Sequence, residues 1–139
     1  MVEQETDLGG RIIPALRYRD AAGAIDWLCN AFGFARKMVV PGEGARVAHA
    51  ELTLGNGMIM LGDVETEYGR LVAAPAKGEP VTQGISVVVD DADAHYARAK
   101  DAGAEIVIDI KTQEYGGRDF TARDPEGHVW TFGTYDPWA

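Results

Sequence analysis

An α+β fold made of two successive β-α-β-β-β units is predicted by three features of this 139-residue sequence. Helical and strand-like hydrophobic periods follow one another in the same order twice. Turn-forming glycines punctuate both halves at matching places. Asp20, Gly33 and Gly57 return as Asp91 (or Asp90), Gly103 and Gly127, an offset of 70 or 71 residues that marks a duplicated unit. Each unit is expected to form a four-stranded, curved mixed sheet with its helix on the convex side, which leaves the concave faces to line a cavity.

The elements follow in chain order. RIIPALRYRD, Arg11 to Asp20, reads as a strand with Ile12, Pro14, Leu16 and Tyr18 on one face and Ile13, Ala15 and Arg17 on the other. Pro14 has no N–H to give a ladder, so this strand belongs at a sheet edge or carries a bulge. Asp20 is placed to cap a helix whose apolar positions Ile25, Leu28, Cys29 and Phe32 have the spacing of a buried stripe, and Gly33 ends it. Three strands come next, ARKMVV, ARVAHAELTL and GMIMLGD, divided by a turn at Gly42 to Gly44 and by the hairpin signal Gly55-Asn56-Gly57. Periodicity lapses over 64–81, where Pro75, Gly78 and Pro80 mark a linker. GISVVVDD, the short amphipathic helix ADAHYARAKDAG closing on Gly103, and the strands EIVIDI, RDFTARD and GHVWTFG then repeat the order. Pro125 within Asp-Pro-Glu-Gly occupies the position a type I or II turn prefers. The expected organisation is one domain over 10–139, with repeats at 10–63 and 82–137 and a disordered tail at 1–9.

Composition narrows the function. With 46% hydrophobic and 25% charged residues, the chain is a soluble domain large enough to build its own core. Its single cysteine, Cys29, rules out an internal disulfide framework and is expected to be a buried small hydrophobe in a reducing compartment, which implies the cytoplasm. The opening MVEQETDLGG is acidic, and no apolar run approaches the roughly 18 residues of a membrane span. A net charge of -9 repels phosphate backbones and anionic lipid heads, so neither nucleic acid nor membrane is an expected partner, and a cationic ligand is mildly favoured.

LRYRD (16–20), AIDWLCNAFGF (24–34), HAELTLGNGMIMLGD (49–63), VVVDD (87–91) and DPEGHVWTFG (124–133) together resemble the vicinal oxygen chelate superfamily, the glyoxalase, bleomycin-resistance and dioxygenase type, over residues 10–137. The likeness is to its uncharacterised glyoxalase-like members. The resemblance implies a histidine at the start of the first strand of each half and a glutamate near the end of the last strand, all on one divalent ion. Counted from the strand-ending aspartates and the turn glycine, those positions are Ile13 or Pro14, Gly84 and Thr131, so no metal and no cofactor is expected. Without a Lewis acid the family's isomerisation and ring-cleavage chemistry is incomplete. The reading therefore moves to the bleomycin-resistance type, a homodimer that binds or sequesters a hydrophobic or aromatic small molecule. Two alternatives stand: a glyoxalase-like lyase, isomerase or dioxygenase with a relocated metal or acid-base site at His49 and Glu51, and a non-catalytic interaction module.

Strand parity sorts the candidate residues. His49, Glu51 and Thr53 share one face of their strand and form the densest polar cluster, suited to ligand contact, to a base with its orienting carboxylate, or to two metal ligands. Arg17 shares the face of Ile13 and Ala15, where a guanidinium could hold a ligand carboxylate or an internal acid. Met58 and Met60 offer a soft wall to an irregular ligand. Tyr115, Trp138, Tyr135 and Tyr68 are placed to stack at a cavity rim. Arg118, with Asp119 as an expected hairpin partner, belongs to a possible lid, and Thr131 completes the ligand-binding candidates. By the resemblance Trp27 is a buried helix aromatic. Trp130 and Phe132 read as core, His128 as helix packing and His95 as a solvated helix residue.

Overall fold

The computed structural model describes residues 9–139. The expected tail, apart from Gly9, lies outside the described residues. Among the described residues, eight strands and two α-helices run in the order β1 (Ala15–Tyr18), α1 (Ala21–Phe32), β2 (Ala35–Pro41), β3 (Val47–Leu54), β4 (Gly57–Asp63), β5 (Ile85–Val88), α2 (Ala92–Asp101), β6 (Glu105–Thr112), β7 (Arg118–Arg123) and β8 (Val129–Gly133), with a 3₁₀ turn at Tyr68–Arg70. The chain forms two compact units. The first runs to Cys29 and includes Gly33–Ala74; the second takes in Asn30–Phe32 and Pro75–Ala139.

In the first unit the sheet order is β1-β4-β3-β2, and in the second β5-β8-β7-β6. The same connectivity twice, with one parallel pair (β1 with β4, β5 with β8) and antiparallel neighbours elsewhere, is the α+β duplication expected from the sequence.

Local chemistry sets the boundaries. The Asp20 carboxylate accepts the Gly23 N–H at 3.0 Å and Asp91 accepts the Ala94 N–H at 3.0 Å, so both helices begin on an aspartate that satisfies an orphan donor of the first turn. Gly33 and Gly103 both adopt the left-handed conformation that stops a helix, φ 84° and 88°. The β3–β4 hairpin closes through Gly55 and Asn56, with Leu54 facing Gly57. Only Gly55 has a positive φ there, 59°, so the tight turn depends on that glycine and not on the Asn56-Gly57 pair.

Three elements differ from expectation. β1 is four residues long, because its pairing with β4 begins at Ala15 and Pro14 contributes only a carbonyl, which accepts the Met60 N–H at 2.9 Å. It lies at the sheet edge, where Pro14 belongs. Trp27 and Cys29 are half-buried, since they flank the α1 stripe of Ala24, Ile25, Leu28 and Ala31 that carries the burial. His95, expected to be solvated, is half-buried, its ring stacked on Phe132 at 5.5 Å between centroids.

The cores follow strand parity. In the first unit Leu16, Tyr18, Ala50, Leu52, Ile59 and Leu61 are buried on the face that α1 covers. In the second, Phe120, Ala122, Trp130 and Phe132 are buried, with Phe32 4.6 Å from Phe132 and 5.5 Å from Trp130 between ring centroids. These alternate residues leave a helix-free face on each sheet.

Candidate functional site

On the first unit's helix-free face, register arranges the side chains in rows. Ala15, Met60, Glu51 and Met38 lie abreast on β1, β4, β3 and β2, while Met58 sits beside Thr53 and His49 beside Val40. Five sequence candidates, Arg17, His49, Glu51, Met58 and Met60, are thus brought to one face. His49 Nε2 and Glu51 Oε2 are 3.0 Å apart, a hydrogen bond between a ring and a carboxylate that both remain partly open to solvent. Two residues apart on one strand, they can meet only because odd positions share a face.

Arg17 is only 4% exposed. Its Nη1 donates to the Asp63 carbonyl at 3.4 Å and to Thr66 Oγ1 at 3.3 Å, and its guanidinium lies 5.1 Å from the centre of the Tyr68 ring. Burial draws its pKa below the ordinary arginine value, with the nearby Tyr68 and Asp63 acting in the opposite direction. Arg17 therefore anchors the segment after β4, and Tyr68, expected at a rim, covers it. Gly62 makes this possible: a Cβ there would stand 2.7 Å from Arg17 Nη1 and 2.7 Å from the Ala48 carbonyl oxygen. Asp63, also buried, accepts the Val47 N–H at 2.6 Å.

At the hairpin end of this unit a cleft of ≈ 430 Å³ is lined by Gly9–Arg11, Ile13, Thr53, Gly55–Gly57 and Met58. Its volume falls within the range of small-molecule sites. Gly10 N–H bonds the Asn56 carbonyl at 3.2 Å and ties one wall to the hairpin.

The second unit holds the remaining candidates in separate places. Thr131 is on the helix-free face, its Oγ1 2.8 Å from Thr121 Oγ1, with Ser86 in register on its other side. Arg118 shares the parity of Phe120 and points toward the helix side, where Nε bonds both Asp93 carboxylate oxygens at 3.1 Å. The expected Arg118–Asp119 pair is thereby replaced, because adjacent strand residues face opposite ways. Asp119 instead accepts from Tyr115 OH and Gln113 Nε2, each at 2.8 Å. That bond raises the Tyr115 pKa, since losing the phenolic proton would set two anions side by side. Tyr115 packs edge-on against Tyr135 at 5.3 Å, and Trp138 is 94% exposed in the C-terminal segment.

Strand pattern alone did not single out Thr121, Ser86 or Asp124. Asp124, 4% exposed, accepts the N–H groups of Glu126, Gly127 and His128 on Oδ1 at 3.0–3.1 Å and the Trp130 indole N–H on Oδ2 at 3.1 Å. His128 is accordingly held at the turn by its own backbone. The signal was present in the Asp-x-x-Gly spacing, an Asx-turn pattern.

The positions to which the resemblance gives metal donors hold Ile13 or Pro14, Gly84 and Thr131. The one donor among them is a hydroxyl already bonded to Thr121, a set that does not fit a divalent ion. Among the described residues, no group of three His, Cys, Asp or Glu side chains is disposed to hold a metal.

Duplicated sheets of identical order, with helix-free faces lined by side chains of mixed polarity, define the class. The Glyoxalase/Bleomycin resistance protein/Dioxygenase superfamily matches residues 12–132, and the chain belongs to that superfamily. It is 37% identical over 123 residues to an uncharacterised protein of Mycobacterium bovis, across 86% of this chain and 80% of that one. Its fold matches TioX from Micromonospora sp. ML1 with a TM-score of 0.73 at 34% identity, covering 90% and 98% of the two chains. The fosfomycin resistance protein FosX from Mesorhizobium loti shares the fold, with a TM-score of 0.64 at 16% identity over 93% and 94%. No helix among the described residues is long and apolar enough to cross a membrane.

Proposed function

We propose that this protein binds a hydrophobic or aromatic small molecule on the helix-free faces of its sheets without a metal ion, as a homodimer in the cytoplasm, sequestering its ligand and not transforming it. The observation that carries the reading is the composition of those faces. Met38, Met58 and Met60 offer adaptable apolar surface beside the polar Thr53, His49 and Glu51, and the family's metal positions carry Ile13 or Pro14, Gly84 and Thr131. Few polar groups within apolar lining is what orients an organic ligand, and thioether side chains adapt to irregular ones. Tyr115 and Trp138 are the most exposed of the four exposed aromatics available for stacking, Tyr68 and Tyr135 being the others. The functional unit is taken as one domain over 10–139, repeats at 10–63 and 82–137 joined through 64–81.

Two measurements test this. Fluorene, an uncharged planar probe, and proflavine, a cationic one, are to bind in equilibrium dialysis with micromolar dissociation constants unchanged by a chelator, proflavine the tighter at low salt because of the net charge of -9. Light scattering of the eluted peak is to give twice the chain mass. Absence of binding by both probes sinks the reading.

The His49–Glu51 hydrogen bond supports a second reading, an enzyme whose metal or acid-base site has moved to this pair. Elemental analysis after incubation with zinc, nickel, manganese and iron(II) decides it. About one metal per chain, lost on His49→Ala, would establish that account in place of the first.

A further inference from the structure

The helix-free face of the second sheet carries a hydroxyl row, and its proton count is incomplete. Ser86 on β5, Thr131 on β8 and Thr121 on β7 lie abreast in the ladder. Thr121 is 8% exposed, and its Oγ1 is 2.8 Å from Thr131 Oγ1, the usual O–H···O distance. Two hydroxyl groups bring two protons, and one bond between them consumes one. The second proton has no acceptor on another described residue, whichever oxygen is the donor in the pair. Thr121 is buried, while Thr131 is partly exposed and Ser86 exposed on the same row, so the remaining proton is presented on the open face, where an acceptor from outside the chain can take it.

We infer that the Thr121–Thr131 pair, extended by Ser86, is a recognition element for a carbonyl or equivalent neutral acceptor on the bound molecule. The ligand class is thus a planar hydrophobic molecule bearing a carbonyl, and not a plain hydrocarbon. This rests on the small-molecule reading above. The proton, not a charge, does the selecting: both threonines are neutral, so the preference persists at high salt, where attraction to the acidic protein is screened. The pair also occupies the row that on the first sheet holds Glu51 and Met60, one repeat earlier in the sequence, so the two helix-free faces offer different chemistry. A duplicated fold has diverged into an apolar and carboxylate face on one sheet and a hydroxyl face on the other.

The test compares fluorenone with fluorene, planar probes of nearly the same shape that differ by one carbonyl. Equilibrium dialysis of the intact protein is to show fluorenone bound about three- to tenfold more tightly, the value of one neutral hydrogen bond. The double variant Thr121→Val with Thr131→Val is to abolish the preference for fluorenone over fluorene. Thr131→Ser, which keeps a hydroxyl, is to preserve the preference. Removing both hydroxyls together leaves no orphan and so retains the fold, checked by near-UV circular dichroism. Equal binding of the two probes to the wild type, or a double variant that weakens both alike, overturns the inference while leaving the small-molecule reading intact. Failure of both probes to bind overturns that reading and the inference with it.

Discussion

Asp124→Ala is expected to be the most damaging single substitution of a charged residue. The carboxylate holds the β7–β8 turn on one oxygen, through three backbone N–H groups at 3.0–3.1 Å, and the Trp130 indole on the other at 3.1 Å. Trp130 has no exposed surface, so the loss of its Asp124 acceptor in the core costs about 1–3 kcal/mol. The turn donors are partly buried, and water recovers some of their loss. Hydrogen bonds to a charged group are each worth about 1.5–3 kcal/mol, and crediting the three together with roughly one such bond brings the total to about 3–5 kcal/mol. For a chain of this size that lowers Tm by roughly 10–15 °C. Asp124→Asn separates the contributions: its carbonyl still serves the turn, but its amide meets the indole donor with another donor, for a loss of about 2 kcal/mol. Urea denaturation followed by tryptophan fluorescence and far-UV circular dichroism supplies both values. An alanine variant within about 1 kcal/mol of the wild type, or an asparagine variant worse than alanine, would refute this account of the turn.

Gly62→Ala is expected to cost about 2–3 kcal/mol in denaturant unfolding, because the new Cβ would meet a backbone carbonyl at 2.7 Å that cannot retreat without breaking the β3–β4 ladder. Asp20→Ala and Asp91→Ala should each lose about 1 kcal/mol, equally, since each cap makes the same 3.0 Å bond; a cost confined to one would mean the two caps are not equivalent. Burial first, then Arg98, holds the His95 pKa below the ordinary histidine value, with Asp91 opposing. Folding therefore favours the neutral ring: its contribution is complete above the unfolded pKa of about 6.5 and is lost as pH falls toward the lower folded value. The urea midpoint of the wild type should drop between pH 7.5 and 5.5, and His95→Gln should flatten that drop.

Much of the fold was legible in the sequence because it rests on short-range chemistry. A capping aspartate, a left-handed glycine and a period of two or 3.6 each act within a few residues, and all recur at the same offset. The candidate site was less legible because it rests on register. Parity placed His49 with Glu51 and Met58 with Met60, but nothing local shows that Thr131 faces Thr121 across two strands, or that the loop after β4 folds Tyr68 onto Arg17. Arg118 illustrates the limit: its neighbour Asp119 was the obvious partner in sequence, and the pleat sends the two side chains to opposite faces, one to Asp93 and one to Tyr115. His95 was read from its polar neighbours, whereas its environment is set by Phe132 on a strand still to come.

β2 shows how such a sheet survives with a bare rim. All seven of its residues are exposed, including Met38, Val39 and Val40, and among the described residues its one strand neighbour is β3. An apolar ribbon with one side unpaired is a template for fibril growth. Arg36, Lys37 and the terminal Pro41, with register irregularities at Arg36/Met38 and Val40/Pro41, make that ribbon charged, kinked and short of one donor. Straightening it, by replacing Lys37 and Pro41 with valine, would leave the buried core untouched and is expected to raise thioflavin T-positive aggregation above that of the wild type.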